Sequence, residues 1–316
     1  MDTSIHPSAV EKPKTTPPLW RRILRLIVFW GVSSIDVMGI ILTGLSILWL
    51  LVGDSNIFTW HFSSLMPGII ALTPFFVIFG LMKRRRWVVF HIVPAGLFVL
   101  LYGIFFIPRA PIVSADTPQL RVMTFNTQFK FQAEEIMRVI LEADADVIAL
   151  QELVQPTADY LAEHLADEYP YQISHIDPNA LTQGKGLLSR YPLHNEVFLN
   201  YKNQINYLRV QIEFDDETVT IVTTHPSPPT WGPHYNNIYR SQHIDWIMDN
   251  LSQESGTLIV MGDFNTTDQS ADYRQITAQY HDSVREVGLG LGQSFPDSTA
   301  WQKFQFIPPL IRIDYV

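Results

Sequence analysis

The chain has 316 residues, 47% of them apolar and 17% charged, with a net charge of −9 and no cysteine. Charge this sparse, against about 25% in an ordinary globular chain, together with the apolar excess excludes a disordered chain, and the lack of cysteine excludes a disulfide scaffold, thiolate zinc sites and cysteine nucleophiles. The charge also divides unevenly: residues 1–116 carry 10 Lys and Arg against 5 Asp and Glu, a net of +5, and residues 117–316 carry 12 against 26, a net of −14, which excludes a basic nucleic-acid-binding domain.

Three apolar runs open the chain, at 26–52, 63–82 and 87–107. Each reaches the ~20 residues that a helix needs to cross a ~30 Å hydrocarbon layer, so three transmembrane helices are predicted. Their succession speaks against a cleaved signal peptide. Lys12, Lys14, Arg21, Arg22 and Arg25 precede the first run, Lys83, Arg84, Arg85 and Arg86 separate the second from the third, and 54–62 has neither Lys nor Arg. The positive-inside rule therefore puts residues 1–25 in the cytoplasm and everything beyond 107 on the other side, where a cysteine-free domain is at home. Trp20, Trp30, Trp60 and Trp87 fall where an interfacial aromatic belt would. Asp36 lies inside the first run with no cation in the other two to match it. The expectation is a span shortened to 37–52, or a local polar partner for Asp36. Residues 108–118, with three prolines, read as an extended tether.

From 119 onward strands and helices alternate. A β-rich run at 120–125 is followed by Ile136, Val139, Ile140 and Ala143 at helical spacing, a buried apolar strand at 147–150 and a second helix at 156–165. Strands are predicted at 186–189, 195–199, 208–214 and 219–224, with Asp215 and Asp216 as a hairpin turn. A helix at 236–251, a buried strand at 257–261 and a last strand at 311–316 complete an α/β sandwich with helices on its sheet faces.

Polar residues stand where the apolar strands stop: Asn126, then Gln151 and Glu152, then Asp263 and Asn265, and Asp314 within the last strand. Ligands in α/β sheets bind outside strand ends. Carboxylates mixed with amides suit a hard, oxygen-preferring cation such as Mg²⁺, and no histidine-rich cluster suits zinc. His225 ends another apolar strand and is stiffened by following prolines, a placement suited to donating a proton to, or offsetting charge on, a phosphoryl oxygen.

These residues carry a resemblance. Thr-Phe-Asn126, Ala-Leu-Gln151-Glu152, Gly-Leu-Leu-Ser-Arg190-Tyr-Pro, Thr-His225-Pro, Gly-Asp263-Phe-Asn265 and Ile-Asp314-Tyr, in that order, resemble the endonuclease/exonuclease/phosphatase superfamily, with Gly-Asp-Phe-Asn and Leu-Gln-Glu its most specific marks. The resemblance implies a four-layer α/β sandwich of deoxyribonuclease type, here preceded by three transmembrane helices, and a Mg²⁺-dependent phosphoesterase, with Mn²⁺ as the alternative ion. It implies that Glu152 is the main metal ligand with Asn126 beside it, and that Asp263 orients or activates the attacking water. Asn265 would hold the scissile phosphate, His225 would donate to it or assist the leaving group, and Asp314 would be a further site aspartate. Arg190 and Arg240 stand outside that scheme.

One family motif is missing: a Ser-Asp-His on a strand after that of Asp314, since the sequence stops two residues later. The expectation is a fragment of a longer reading frame, inactive or nearly so by itself, with an unpaired sheet edge where a further strand would add. The domains are then 1–25 cytoplasmic tail, 26–107 anchor, 108–118 tether and 119–316 catalytic-type domain. The expected partners are the bilayer and a phosphoester, whether nucleic acid, nucleotide or phospholipid headgroup, and no protein partner is inferred. A net of −14 disfavours tight binding of a long polyanion; Trp231, Tyr235 and Trp301 are candidate contacts for bases, sugars or lipid. The alternative is a non-catalytic membrane-anchored binding module on the same fold.

Overall fold

The computed structural model describes residues 18–83, 85–109, 114, 117–202, 204–228, 235–296 and 308–316. Most of the predicted cytoplasmic tail, most of the tether, Arg84, Trp231 and Trp301 lie outside the described residues.

The first apolar run forms one helix, α1 (Leu19–Val52), of 34 residues. The second does not form one straight helix. It divides into α2 (Ile57–Ile70) and α3 (Thr73–Met82), bent by 54°. Pro74 is the physical reason: it has no N–H to give the Ile70 carbonyl, and its ring crowds that oxygen. The Thr73 hydroxyl donates to Ile70 O instead, at 2.6 Å. α4 (Val89–Tyr102) carries Pro94, which likewise frees the carbonyl of Phe90, and the Thr43 hydroxyl of α1 donates to it. Close approach of α1 and α4 depends on Gly39, where a Cβ would stand 2.5 Å from His91 Nε2. Two helical segments, Leu19–Val52 and Arg86–Phe106, are long and apolar enough to cross a membrane, or three if the bent pair counts as one span. Asp36 does have a cation, though not from an apolar run: Arg85, in the short connection between α3 and α4, pairs with it.

The rest of the chain builds β1 (Val122–Asn126), α5 (Ala133–Ala143), β2 (Val147–Gln151), α6 (Gln155–His164), β3 (Tyr171–His175), β4 (Lys185–Ser189), β5 (His194–Tyr201), β6 (Gln204–Phe214), β7 (Glu217–Thr224), α7 (Tyr235–Leu251), β8 (Thr257–Asp263), α8 (Ala271–Thr277), α9 (Ser283–Val287) and β9 (Asp314–Tyr315). Two sheets form, ordered β1-β2-β4-β3 and β5-β6-β7-β8-β9. Successive residues of a strand point to opposite faces, and β2, buried throughout, uses both. Val147 and Ala149 pack with Leu208, Val210 and Ile221 between the sheets, while Ile148 and Leu150 pack under α5 and α6 with Ile136, Ile140 and Leu161. On the far side, Tyr207 and Val222 meet Ile244, Ile247 and Leu251 of α7. The result is the expected sequence of four layers, helix, sheet, sheet, helix.

The predicted hairpin is present. β6 and β7 pair from Phe214↔Glu217, and Asp215 and Asp216 both take positive φ, at 51° and 62°, as a two-residue I′ turn requires. The last strand is shorter than predicted. Only Asp314 and Tyr315 pair with β8; Ile311 instead bridges Phe295, so the chain bends before it joins the sheet. Among the described residues β9 has no strand on its outer side. Strand β3 and helices α8 and α9 were not anticipated, because each is short and lacks a clean period.

The sandwich sits against one end of the helical unit. Asp54, between α1 and α2, accepts the Ala271 N–H at 2.9 Å and pairs with Arg274 at 3.4 Å. The Phe105 carbonyl accepts from Gly290 N at 2.7 Å, and the Arg285 guanidinium lies 4.2 Å from the Phe105 ring centre.

Gly262 lets β8 run close beside β7: a Cβ there would meet the Thr224 carbonyl oxygen at 2.0 Å. Backbone cannot yield as a flexible side chain would. Gly262→Ala is expected to cost about 1–3 kcal/mol and to lower the thermal midpoint of the detergent-solubilised protein; an unchanged midpoint would show that the strands separate freely here.

Candidate active site

Strand register brings the polar residues to one place. β1 and β2 are parallel with Asn126 opposite Gln151, so Glu152 emerges one residue beyond. β7 and β8 are parallel with Thr224 opposite Gly262, which sets His225 beside Asp263, and Asp263 is itself paired with Asp314 across β8 and β9. The two sheets are tied together at this end by Gln151, whose side chain accepts from Thr124 Oγ1 at 3.1 Å and donates to Thr223 Oγ1 at 3.0 Å. Gln151, read from the sequence as part of the polar set, therefore serves as a tie between sheets.

All six predicted site residues converge. Asn126 Nδ2 donates to Asp263 Oδ2 at 2.9 Å, and the Asn265 backbone N–H donates to Asp263 Oδ1 at 2.8 Å. The Asn265 side-chain amide donates to His225 Nε2 at 3.0 Å and to the Pro226 carbonyl at 2.9 Å. His225 Nε2 stands 3.6 Å from Glu152 Oε1 and 3.8 Å from Asp263 Oδ2. Asn126, Glu152, Asp263, Asn265 and Asp314 line a cleft of about 1440 Å³, with His225 buried behind them. Glu152 and Asn265 both adopt left-handed backbone, φ 52° and 49°, which costs a non-glycine residue of order 1–3 kcal/mol and tends to occur where a site demands it. The loop after β1 is held by Thr127, which donates to the Gln151 carbonyl at 3.0 Å.

The Endonuclease/Exonuclease/phosphatase family model matches residues 123–316 of this chain. The chain belongs to that family. Solved structures share the fold: truncated Caenorhabditis elegans TDP2 is 14% identical, with a TM-score of 0.50 over 62% of this chain and 82% of that one. Sphingomyelinase C from Streptomyces griseocarneus is 20% identical, with a TM-score of 0.46 over 63% and 84%. A mutant of Staphylococcus aureus beta toxin with bound magnesium ions is 14% identical, with a TM-score of 0.46 over 63% and 84%. A search of curated proteins by sequence finds no match.

Within this endonuclease/exonuclease/phosphatase fold, burial and like charge act in the same direction on the acids. Asp263 is pushed well above the ordinary carboxylate range by burial, then by Asp314 and Glu152, against hydrogen bonds from Asn126 and Asn265. Glu152 is raised by burial and by Asp314, with Asn126 and Lys185 opposing; Asp314 is raised by burial. Lys185 lies fully buried below them, and desolvation brings it down to about 7 although Glu152 and Asp263 both favour its charge. His225 is held well below its usual value by burial, then by Lys185 and His243, so at neutral pH it is the uncharged ring that accepts from Asn265.

Sequence reasoning missed Lys185. Its signal was a lysine placed directly before the buried Gly-Leu-Leu run of β4, opposite Gln151. Arg240, left outside the predicted scheme, belongs to the support of the site: buried and bound to Asp272 at 2.9 Å, it donates to the Asn265 carbonyl at 3.1 Å. Arg190 does not reach the cleft and pairs with Asp144, Asp146 and Glu168 at the opposite end of β4. Ser294 was also unforeseen; its hydroxyl accepts the backbone N–H groups of Ile313 and Asp314 at 3.1 and 3.3 Å.

A carboxyl whose pKa is raised on folding binds more protons in the native than in the unfolded state, so the stability it provides is lost as pH climbs through the raised value. For Glu152 that window starts at the ordinary glutamate range and extends upward. Metal-free Glu152→Gln should therefore melt higher than wild type at pH 8 and close to wild type at pH 5. A midpoint in EDTA that is lower than wild type at pH 8 would contradict this electrostatic account.

Proposed function

We infer that the protein is a membrane-anchored, Mg²⁺-dependent phosphoesterase that hydrolyses phosphodiester or phosphomonoester bonds outside the cytoplasm. The observation that carries this reading is the meeting of Glu152, Asp263 and Asp314 with Asn126, Asn265 and His225 at a single cleft. Three acids crowded together and raised by one another and by burial are a poor structural solution and a good one for chemistry on an anion.

The donor set fits Mg²⁺. Among the described residues no three His, Cys, Asp or Glu side chains are arranged to cage one ion, but Mg²⁺ commonly takes only one or two carboxylates and keeps several waters. Glu152 would hold it, with the Asn126 side-chain oxygen beside it, and mutual repulsion among the acids favours a cation there. Bound there, Mg²⁺ would offset negative charge on the phosphoryl oxygens. Asp263, oriented by Asn126 and by the Asn265 N–H, has the raised basicity that suits taking a proton from water near neutral pH. Asn265 would lie beside the phosphate with His225 joined to its amide from behind the lining, and Asp314 keeps Asp263 basic.

Membrane anchoring by 26–107 is supported by apolar surface that none of the described residues covers. Ile41, Leu50 and Leu51 of α1, between Asp36 and the sandwich, are each more than half exposed, as lipid-facing residues would be. Lys83, Arg85 and Arg86 lie at the end of the helical unit remote from the sandwich, and Asp36 with Arg85 marks that end, which accords with cytoplasmic cations and a catalytic domain, 119–316, on the opposite side.

The test is hydrolysis of bis(p-nitrophenyl) phosphate by the full-length protein in detergent, produced from its whole reading frame so that any Ser-Asp-His segment encoded there is present. Activity should need Mg²⁺ and stop with EDTA, and Asp263→Asn and His225→Ala should each lower kcat by about 10²–10⁴-fold. Glu152→Gln should raise the Mg²⁺ concentration needed for half-maximal rate. EDTA-resistant turnover, or full activity in Asp263→Asn, would overturn the assignment.

A further inference from the structure

The cleft has two kinds of wall, and one of them comes from the apolar N-terminal unit. Trp60 and Ser64, one turn apart on α2, line the same cleft as Asp263 and Glu152. One turn further, Gly68 faces the segment leading to β9: a Cβ there would meet the Leu310 side chain and carbonyl at 3.8 Å. The other face of α2 buries Phe62, Met66 and Ile70 among the helices, so the side carrying 60, 64 and 68 is the one turned to the sandwich. Ser64 lies two turns into α2, ~10 Å from its first residue at a 1.5 Å rise. Across from it the lining is again apolar, from Phe129, Phe295 and Ile311, and the neighbouring Phe131 is 62% exposed. Glu152, Asp263 and Asp314 lie on the floor with Asn126 and Asn265, and Gln128, Lys130, Gln132 and Glu135 make the rim around Phe129 polar. At about 1440 Å³ the cleft exceeds the ~300–1,000 Å³ of a pocket for a compact small molecule.

We propose that this cleft takes a phospholipid of the bilayer, its phosphodiester on the polar floor and its glycerol and upper acyl chains along α2. The proposal rests on the phosphoesterase and anchoring readings above and names their substrate class. The reasons are chemical: an amphiphile matches a wall polar at one end and apolar at the other. A polynucleotide instead needs a run of cations along its backbone; this domain carries −14, and among the described lining residues the cations are two, Lys130 and Arg240. Because α2 lies along the sandwich from Trp60 to Gly68 on one side and packs among the apolar helices on the other, a lipid beside it would reach the floor without leaving the bilayer completely. Hydrolysis adds the water oxygen to phosphorus and breaks one P–O ester bond. One water proton leaves with the alcohol, and the other ionises from the phosphate monoester.

The experiment uses full-length protein reconstituted into phosphatidylethanolamine and phosphatidylglycerol vesicles with Mg²⁺, assayed on vesicle lipid, on bis(p-nitrophenyl) phosphate and on plasmid DNA. Ser64→Trp fills the α2 side of the cleft, and Trp60→Ala removes its aromatic wall. Each is expected to lower the ratio of lipid to soluble-diester kcat/KM by at least about tenfold, the scale of one altered pocket contact. Leu65→Ala, on the same helix outside the cleft lining, should leave that ratio unchanged and reports on general damage to α2. Soluble-diester or DNA cleavage without lipid cleavage, or a ratio unmoved by both cleft variants, overturns the lipid assignment while leaving the phosphoesterase standing. No hydrolysis of any of the three overturns both.

Discussion

The arrangement depends on the repulsion among Glu152, Asp263 and Asp314. Three carboxyl groups brought together in a cleft floor and partly stripped of water would drive the strand ends apart if nothing opposed them. The opposing contacts come from separate parts of the chain: the Asn126 amide and the Asn265 N–H at Asp263, the buried Lys185 beneath, and the Ser294 hydroxyl, which accepts the Ile313 and Asp314 N–H groups. None of these is a full counter-charge in water. A site balanced in this way is under-neutralised by design, and it favours a cation, a proton or the charge rearrangement of a transition state.

That balance explains features of the scaffold that otherwise look wasteful. Glu152 and Asn265 accept left-handed backbone immediately after β2 and β8, a strain that turns their side chains back over the strand ends. It is tolerated because both neighbouring strands are heavily buried and because Gln151 joins the two sheets just below. Gly262 allows β7 and β8 to close so tightly that His225 and Asp263 face one another. Arg240, drawn into the interior by Asp272, donates to the Asn265 backbone carbonyl and also reaches the cleft lining, so one charge braces the turn after β8 from beside the cleft.

Much of this was legible in the sequence, for an identifiable reason. Apolar runs that stop at an Asn, Glu, His or Asp announce both a buried strand and the end at which polar groups gather, so the strands at 147–150, 219–224 and 257–261 and the meeting of the six polar residues at one end could be read directly. What was not legible depends on partners distant in sequence. The pairing of Asp36 with Arg85 required knowing that the loop after α3 folds back to the middle of α1. Lys185 looked like an ordinary strand-start cation until β4 was set against β2. The bend between α2 and α3 could have been read: Thr73-Pro74 in the middle of an apolar run is a helix-breaking signal, and a count of hydrophobic residues passes over it.

The same bend changes what the N-terminal helices do. Broken at Ala71 and Leu72, the segment lets α2 take its own direction, burying Phe62, Met66 and Ile70 on one side while offering Trp60 and Ser64 to the cleft on the other. The contacts of Asp54 with Ala271 and Arg274, and of Phe105 with Gly290 and Arg285, then fix the sandwich against that face. A helix whose only task was to tether would have no reason to contribute to the lining beside Asp263. A proline in an apolar run thus links the two halves of the chain, because it is what allows an apolar helix to form one wall of a polar site.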